Sequence, residues 1–193
     1  MYINDIHILY YVLFGFIGIV VGQITDWCNI RLSEYKKVIS KEFFKMYFKN
    51  FIPKYILMFI TAIIYIGILY TYGLADLKTY SYMILTPMLL SVIVIDYKKQ
   101  IIPNRLTLTM FEFGLIFAFL QGISNLNVAI DSILGMIVGA GIFLFITFVG
   151  SLISGKEAMG FGDVKLIGAL GLFFRMEKHN CNIDFIIFNR SYI

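Results

Sequence analysis

Long apolar blocks alternate with short polar stretches along most of this 193-residue chain. A helix needs about 20 mostly apolar residues to cross the hydrocarbon core of a membrane, and most of these blocks approach that length. The third block contains Pro87, which predicts a kink. The pattern predicts membrane-spanning helices over residues 8–25, 55–74, 80–95, 106–123 and 132–153, followed by a short apolar run over residues 164–174.

Composition supports the same interpretation, because 60% of the residues are hydrophobic and only 15% are charged. A soluble domain of this size could not bury so much apolar surface. We therefore expect an all-α fold, a polytopic transmembrane helix bundle with about five full spans and a short C-terminal apolar segment. Small residues four apart predict close helix packing. They are Gly18 with Gly22 and Gly135 with Gly139.

Basic residues are distributed unevenly between the predicted loops. By the positive-inside rule the N-terminus is then outside, and a cytoplasmic basic loop covers about residues 26–54. Aromatic residues among its lysines also fit an interfacial helix. We expect the lipid bilayer, and no nucleic acid, as the partner of this charge. Between the predicted spans the outer side holds only Lys78, and the cytoplasmic side holds Arg31, Lys36, Lys37, Lys41, Lys45, Lys49, Lys54, Lys98, Lys99, Arg105, Lys156 and Lys165.

Cysteines and histidines are too few and too scattered to indicate a metal site. Cys28 and Cys181 form no CxxC pair, and His7 lies far from His179. We expect no metal and no cofactor. No basic residue precedes the first apolar block, so we expect that block to remain as a helix and not to be a cleaved signal peptide.

Two aspartates, Asp96 and Asp163, border apolar runs on the predicted cytoplasmic side. An ionisable group beside lipid is costly unless it has a partner or a function. Two carboxyl groups a few ångströms apart share one proton, because like charges repel in a poorly solvated site. The ionised group can activate water while the protonated group donates to a carbonyl oxygen. The pair therefore predicts an aspartic peptidase that needs neither a nucleophilic side chain nor a metal.

The residues around the two aspartates sharpen this prediction. A proline and an asparagine mark the entry to the fourth helix, and glycines before Asp163 permit close approach of a peptide substrate. The helix that Asp163 opens favours its ionised form through the helix dipole. A lysine two residues later either tunes the aspartate pair or anchors that helix among lipid headgroups, and we favour the second interpretation. These supporting positions are Pro103, Asn104, Gly160, Gly162 and Lys165.

The two motifs read DYKKQIIPNRLT from Asp96 and GFGDVKL around Asp163. Together they resemble the type IV prepilin peptidase family, a group of GxGD-type intramembrane aspartyl proteases. Gly22 followed by Arg31 is similar to the family's N-terminal signature, so the resemblance covers about residues 10–174. It implies that Asp96 and Asp163 are catalytic. It also implies an inner-membrane enzyme of type IV pilus assembly or protein secretion. The substrate would be a prepilin-like precursor, cut after its leader at the cytoplasmic face.

The chain departs from the family pattern in two places. Its basic loop lacks the two CxxC pairs of many bacterial members, so neither zinc nor N-methylation of the product is implied. Apolar character and motif also stop after Phe174. We expect a membrane-embedded peptidase domain over residues 1–174 and an atypical polar tail over residues 175–193, produced by truncation or a frameshift.

Three alternatives stay open at this point. Glu112, inside the fourth predicted helix, either lines the site or is a protonated or snorkelling group near the interface. The chain is either an active peptidase or a truncated, inactive remnant of one. A third interpretation is an ion-coupled transporter subunit, which would place its acids near the bilayer midplane on broken helices.

Overall fold

The computed structural model describes residues 2–4, 6–33, 55–155 and 160–174. The predicted interfacial helix of the basic loop lies outside the described residues, and so does the expected polar tail over residues 175–193. The described part is almost wholly helical. Its six helices are α1 (Ile8–Ser33), α2 (Tyr55–Tyr72), α3 (Leu77–Lys99), α4 (Asn104–Ser124), α5 (Leu126–Ser154) and α6 (Phe161–Phe174).

Helix length confirms the predicted fold class. The first five helices are long and apolar enough to cross a membrane. Helix α6 is described over 14 residues, up to the last described residue of the chain, Phe174. The pattern did not predict the small antiparallel hairpin before α1, formed by β1 (Tyr2–Ile3) and β2 (Ile6–His7). The hairpin turn lies against the end of α2, where Asn4 Nδ2 donates to the Tyr70 carbonyl oxygen at 3.3 Å.

Most helices extend beyond their apolar blocks, because a started helix continues cheaply into polar sequence. Asp96 therefore lies within α3, and Asp163 lies in the first turn of α6. The expected loop over residues 124–131 is reduced to Asn125 between α4 and α5. Pro87 lies inside α3, which continues unbroken through it.

Local chemistry accounts for the helix ends. Asp76 caps α3 by accepting from the Lys78 amide at 2.8 Å, and Asn125 caps α5 by accepting from the Asn127 amide at 3.1 Å. Helix α3 ends at Gln100, whose φ of 53° is left-handed and whose amide donates to the Asp96 carbonyl oxygen at 2.7 Å. Helix α5 ends at Gly155 with a φ of 65°.

Small residues let neighbouring helices approach closely, as the glycine pattern predicted. A Cβ atom at Gly18 would stand 2.7 Å from the Ala62 Cα atom, and one at Gly22 would stand 2.8 Å from the Met58 Cα atom. Thr61 joins the same two helices, since its hydroxyl donates to the Gly18 carbonyl oxygen at 2.6 Å. Helices α5 and α6 meet in the same manner where Gly171 faces Gly135.

Two buried clusters hold the bundle together. The first joins α3, α4 and α6, and the second joins the hairpin to α1, α2 and α3. Because α3 contributes to both clusters, it connects the N-terminal helices to the C-terminal ones. The first cluster contains Leu85, Val92, Ile95, Leu106, Met110, Phe117, Ala169 and Phe173, and the second contains Ile6, Tyr11, Tyr65, Leu69 and Met83.

The contact between α1 and α2 predicts that alanine substitution destabilises the protein at Gly22 but not at Gly67. Gly22→Ala places a methyl group against α2 backbone and should destabilise the protein by about 1–3 kcal/mol through overpacking. Gly67→Ala is the matched control, because no atom lies within 4 Å of its Cβ position. The measurement is the thermal unfolding midpoint in detergent. Equal midpoints for the two variants would contradict the described helix contact.

Candidate active site

Helices α3 and α6 run antiparallel, as two contacts show. At one end the rings of Tyr82 and Phe174 stack with centroids 5.9 Å apart. At the other end a Cβ atom at Gly162 would stand 3.3 Å from the Cβ atom of Ile102, in the segment that follows α3. The end of α3 that carries Asp96 and the end of α6 that carries Asp163 therefore lie at the same end of the bundle.

Ideal helical geometry predicts that the two aspartates lie on facing sides. A helix turns by about 100° per residue, so Phe174 lies only about 20° around α6 from Asp163. By the same rule Asp96 lies about 40° around α3 from Tyr82. Because Tyr82 and Phe174 are in contact, we expect the side of each helix that carries its aspartate to be turned toward the other helix.

The two aspartates also reach similar depths along the bundle. Measured from the stacked rings, Asp163 lies 11 residues along α6, or about 16 Å, and Asp96 lies 14 residues along α3, or about 21 Å. The axial offset is therefore about 5 Å, with Asp96 farther out. This offset agrees with exposure, because Asp96 is exposed and Asp163 is half-buried.

The start of α6 holds Asp163 through contacts with Gly160. The Asp163 amide donates to the Gly160 carbonyl oxygen at 3.1 Å. A Cβ atom at Gly160 would stand 3.5 Å from Asp163 Oδ2, so the carboxylate lies over this glycine. The first turn of a helix presents unpaired N–H groups, and its dipole favours a negative charge there.

Residues 61 positions apart join the two motifs directly. Lys165 Nζ donates to Asn104 Oδ1 at 3.2 Å, and the same ammonium group lies 6.0 Å from the centroid of the Phe161 ring. Pro103 is buried with a φ of −65°, a value its ring imposes, and it places Asn104 as the first residue of α4. The structure thus brings together the candidate residues Asn104, Gly162 and Lys165 around the first turns of α6, where Asp163 also lies.

An apolar cavity of about 760 Å³ opens beside the start of α6. It lies between α4, α5 and α6. Its polar end is formed by Asn104, Thr107 and Lys165, and its wall includes Val164, the residue next to Asp163. Leu108, Ile137 and Ala140 belong to its apolar part. The cavity therefore begins at the level of the first turn of α6, on the side of that helix that carries Val164 and Lys165, and Asp163 itself is not among its lining residues.

Glu112, the remaining candidate residue, lies outside the cavity. Glu112 is exposed on α4 and is not among the residues that line the cavity, so its role in the site stays a prediction. Within the described ranges, no three His, Cys, Asp or Glu side chains cluster closely enough to hold a metal ion. Sequence reasoning missed the contact of Ile102 with Gly162, since nothing local indicates a partner 60 residues away.

The fold and the site define a multi-pass membrane protein with a pair of acids at one end of its bundle. A model of the type IV leader peptidase family matches residues 83–191, more than half of the chain. The chain therefore belongs to the type IV leader peptidase family. The matched region begins inside α3 and contains both motifs.

Individual relatives agree with the family match. A protein of Aeromonas hydrophila named prepilin leader peptidase/N-methyltransferase is 36% identical over 93 residues, which cover 48% of this chain and 31% of the relative. A protein of the same name from Escherichia coli strain K12 is 34% identical over 82 residues, covering 42% of this chain and 35% of the relative. A third protein of this name, from Neisseria gonorrhoeae, is 38% identical over 89 residues, which cover 46% of this chain and 30% of the relative. The chain spans about a third of the length of these curated relatives. No solved structure matches it.

Cysteine cross-linking tests the contact between the two motifs. In a chain with Cys28→Ser and Cys181→Ser, the pair Ile102→Cys and Gly162→Cys should form a disulfide on mild oxidation. The Cβ separation of about 3.3 Å is close to the value of about 3.8 Å that is usual for disulfides. Linked peptides detected by mass spectrometry give the yield.

The matched control moves one cysteine by two positions, to Gly160→Cys. A Cβ atom there would meet Asp163 Oδ2 within 4 Å, but not Ile102. The pair Ile102→Cys and Gly160→Cys should give at least fivefold less disulfide, which corresponds to a free-energy difference of roughly 1 kcal/mol. Equal yields from the two pairs would show that Ile102 and Gly162 are not in contact.

Proposed function

We propose that the protein is a membrane aspartic endopeptidase that uses Asp96 and Asp163 to cleave the leader peptide of prepilin-like precursors. The observation that carries this proposal is that the end of α3 that carries Asp96 and the end of α6 that carries Asp163 lie at the same end of the bundle. Family membership and the names of the relatives support the substrate class.

The proposed chemistry uses one carboxyl group of the pair as a general base and the other as a general acid. The ionised group takes a proton from water as the water attacks the scissile carbonyl carbon. The protonated group donates to the carbonyl oxygen, and a proton then passes to the leaving amine. The peptide bond is hydrolysed without a covalent intermediate.

The distribution of charge supports a cytoplasmic position for this site. Among the described residues, the end of the bundle that carries the aspartates also carries Lys98, Lys99, Arg105 and Lys165, whereas Lys78 lies at the opposite end. The positive-inside rule then puts the aspartates on the cytoplasmic side of the inner membrane and the N-terminus outside.

The apolar cavity supports cleavage next to a hydrophobic segment. It begins beside Val164, at the level of Asp163, and continues between α4, α5 and α6. A precursor whose leader lies in the cytoplasm and whose following segment enters the membrane would place the junction of the two at the aspartates. The apolar segment would then lie against the cavity wall, where it buries apolar surface.

A transporter would distribute its acids differently. Ion-coupled transport uses acids near the bilayer midplane, on helices broken at corresponding positions of a repeat. Here both aspartates lie within a turn or two of a helix end, and α3 is continuous through Pro87. These features favour hydrolysis at the membrane surface over transport.

Asparagine substitution tests the pair. The protein and a prepilin are co-expressed in a bacterium that lacks its own prepilin peptidase, and leader removal is followed by gel mobility. Asp96→Asn and Asp163→Asn should each slow cleavage by about 10²–10⁴-fold, because amide groups cannot transfer the protons. Asp131→Asn is the matched control, since Asp131 lies near the opposite end of α5.

Two outcomes would count against the proposal. Cleavage that survives either of the first two substitutions excludes the aspartate pair. Absence of cleavage by the parent chain, when it accumulates in the membrane, supports the inactive remnant.

Two tryptophan substitutions on α5 test whether the apolar segment of the substrate binds in the cavity. Ile137→Trp fills part of the cavity and should raise the KM for a prepilin roughly tenfold, a loss of about 1.4 kcal/mol in binding. Ile142→Trp is the control. Both isoleucines are exposed, by 55% and 53%, but Ile142 lies about 140° around α5 from Ile137. An equal KM for the two variants would exclude the cavity as the place of the apolar segment.

A further inference from the structure

The hydrogen bond between Lys165 and Asn104 lies on the side of α6 that faces away from Asp163. Residues two apart on a helix point about 200° apart, so the ammonium group of Lys165 reaches across the back of α6 to the start of α4. Lys165 therefore does not lie beside the Asp163 carboxylate, and a direct electrostatic effect on it is not what the geometry favours.

Three contacts determine the rotation of the first turn of α6. Val164 is buried, Gly162 packs against Ile102, and Lys165 bonds to Asn104. The first two are apolar and non-directional, so they tolerate small rotations. The hydrogen bond is directional and spans the gap between two helix starts. It is a directional contact of the first turns of α6, and it acts together with the close packing of Gly168 and Gly171 on α5 farther along the helix.

We propose that Lys165 is a positioning residue that, through Asn104 Oδ1, holds α6 at the rotation that turns Asp163 toward Asp96. The proposal rests on the proposed role of the aspartate pair. A carboxylate about 5.5 Å from the helix axis moves by about 2 Å when the helix rotates by about 20°. A misplacement of about 1 Å at a catalytic group can cost about 10²-fold in rate.

The activity test separates positioning from binding and from charge. Lys165→Met and Asn104→Ala should each lower kcat for prepilin cleavage by about 10- to 100-fold while KM changes less than about threefold. The double variant should be no slower than either single one, because both remove the same bond. Asn104→Asp keeps an oxygen acceptor and should rescue most of the loss.

Lys98→Met is the control for charge. It removes a positive charge from an exposed position at the same end of the bundle, two residues after Asp96, and it touches neither partner of the bond. An equal fall in kcat for Lys98→Met and Lys165→Met would overturn the proposal, because loss of charge alone would then explain both. Additive losses in the double variant would also overturn it.

A second measurement does not depend on catalysis. In the Ile102→Cys and Gly162→Cys chain, Lys165→Met should slow disulfide formation at least threefold, because α6 then rotates away from the contact. Asn104→Asp should leave the rate near that of the parent pair. An unchanged rate after Lys165→Met overturns the positioning role even where no cleavage is measurable. A slowed rate in a chain that cleaves nothing supports the bond and counts only against the proposed function.

Discussion

Lipid hydrocarbon offers no hydrogen bonds, and this constraint determines the layout of the described protein. Backbone N–H and C=O groups inside the membrane must pair within their own helix, so irregular backbone and ionisable side chains collect at the ends of the bundle. Residues 100–103, Asp96 and Asp163 meet at one such end. Hydrolysis needs water, and water reaches this end more readily than the middle of the bilayer.

Close packing then determines how well the site is held. Helices in lipid gain little from hydrophobic burial against one another, so small residues that allow close approach carry much of the association. The position of helix α6 depends on Gly171 against α5 and on Phe173 in the cluster with α3 and α4. Contacts one to two turns from the aspartates, and at the far end of α6, therefore determine the geometry between them.

The family match covers the C-terminal helices of the described structure. The matched region begins at residue 83, inside α3, and includes α4, α5 and α6. These helices supply both motifs, the cavity and the bond between Lys165 and Asn104. Helices α1 and α2 lie outside the matched region and pack on each other through Gly18, Gly22 and Thr61.

The sequence by itself determined the number and order of the spans, because apolar length is a local property that hydropathy measures directly. It also identified Asp96 and Asp163 as candidates, since charged residues beside apolar runs are conspicuous. The tertiary structure alone decided that α3 and α6 lie antiparallel, with their aspartate-bearing ends at the same end of the bundle. It alone paired Ile102 with Gly162 and Asn104 with Lys165. Contacts between residues some 60 positions apart depend on helix rotation and packing, and no local pattern in the chain encodes them.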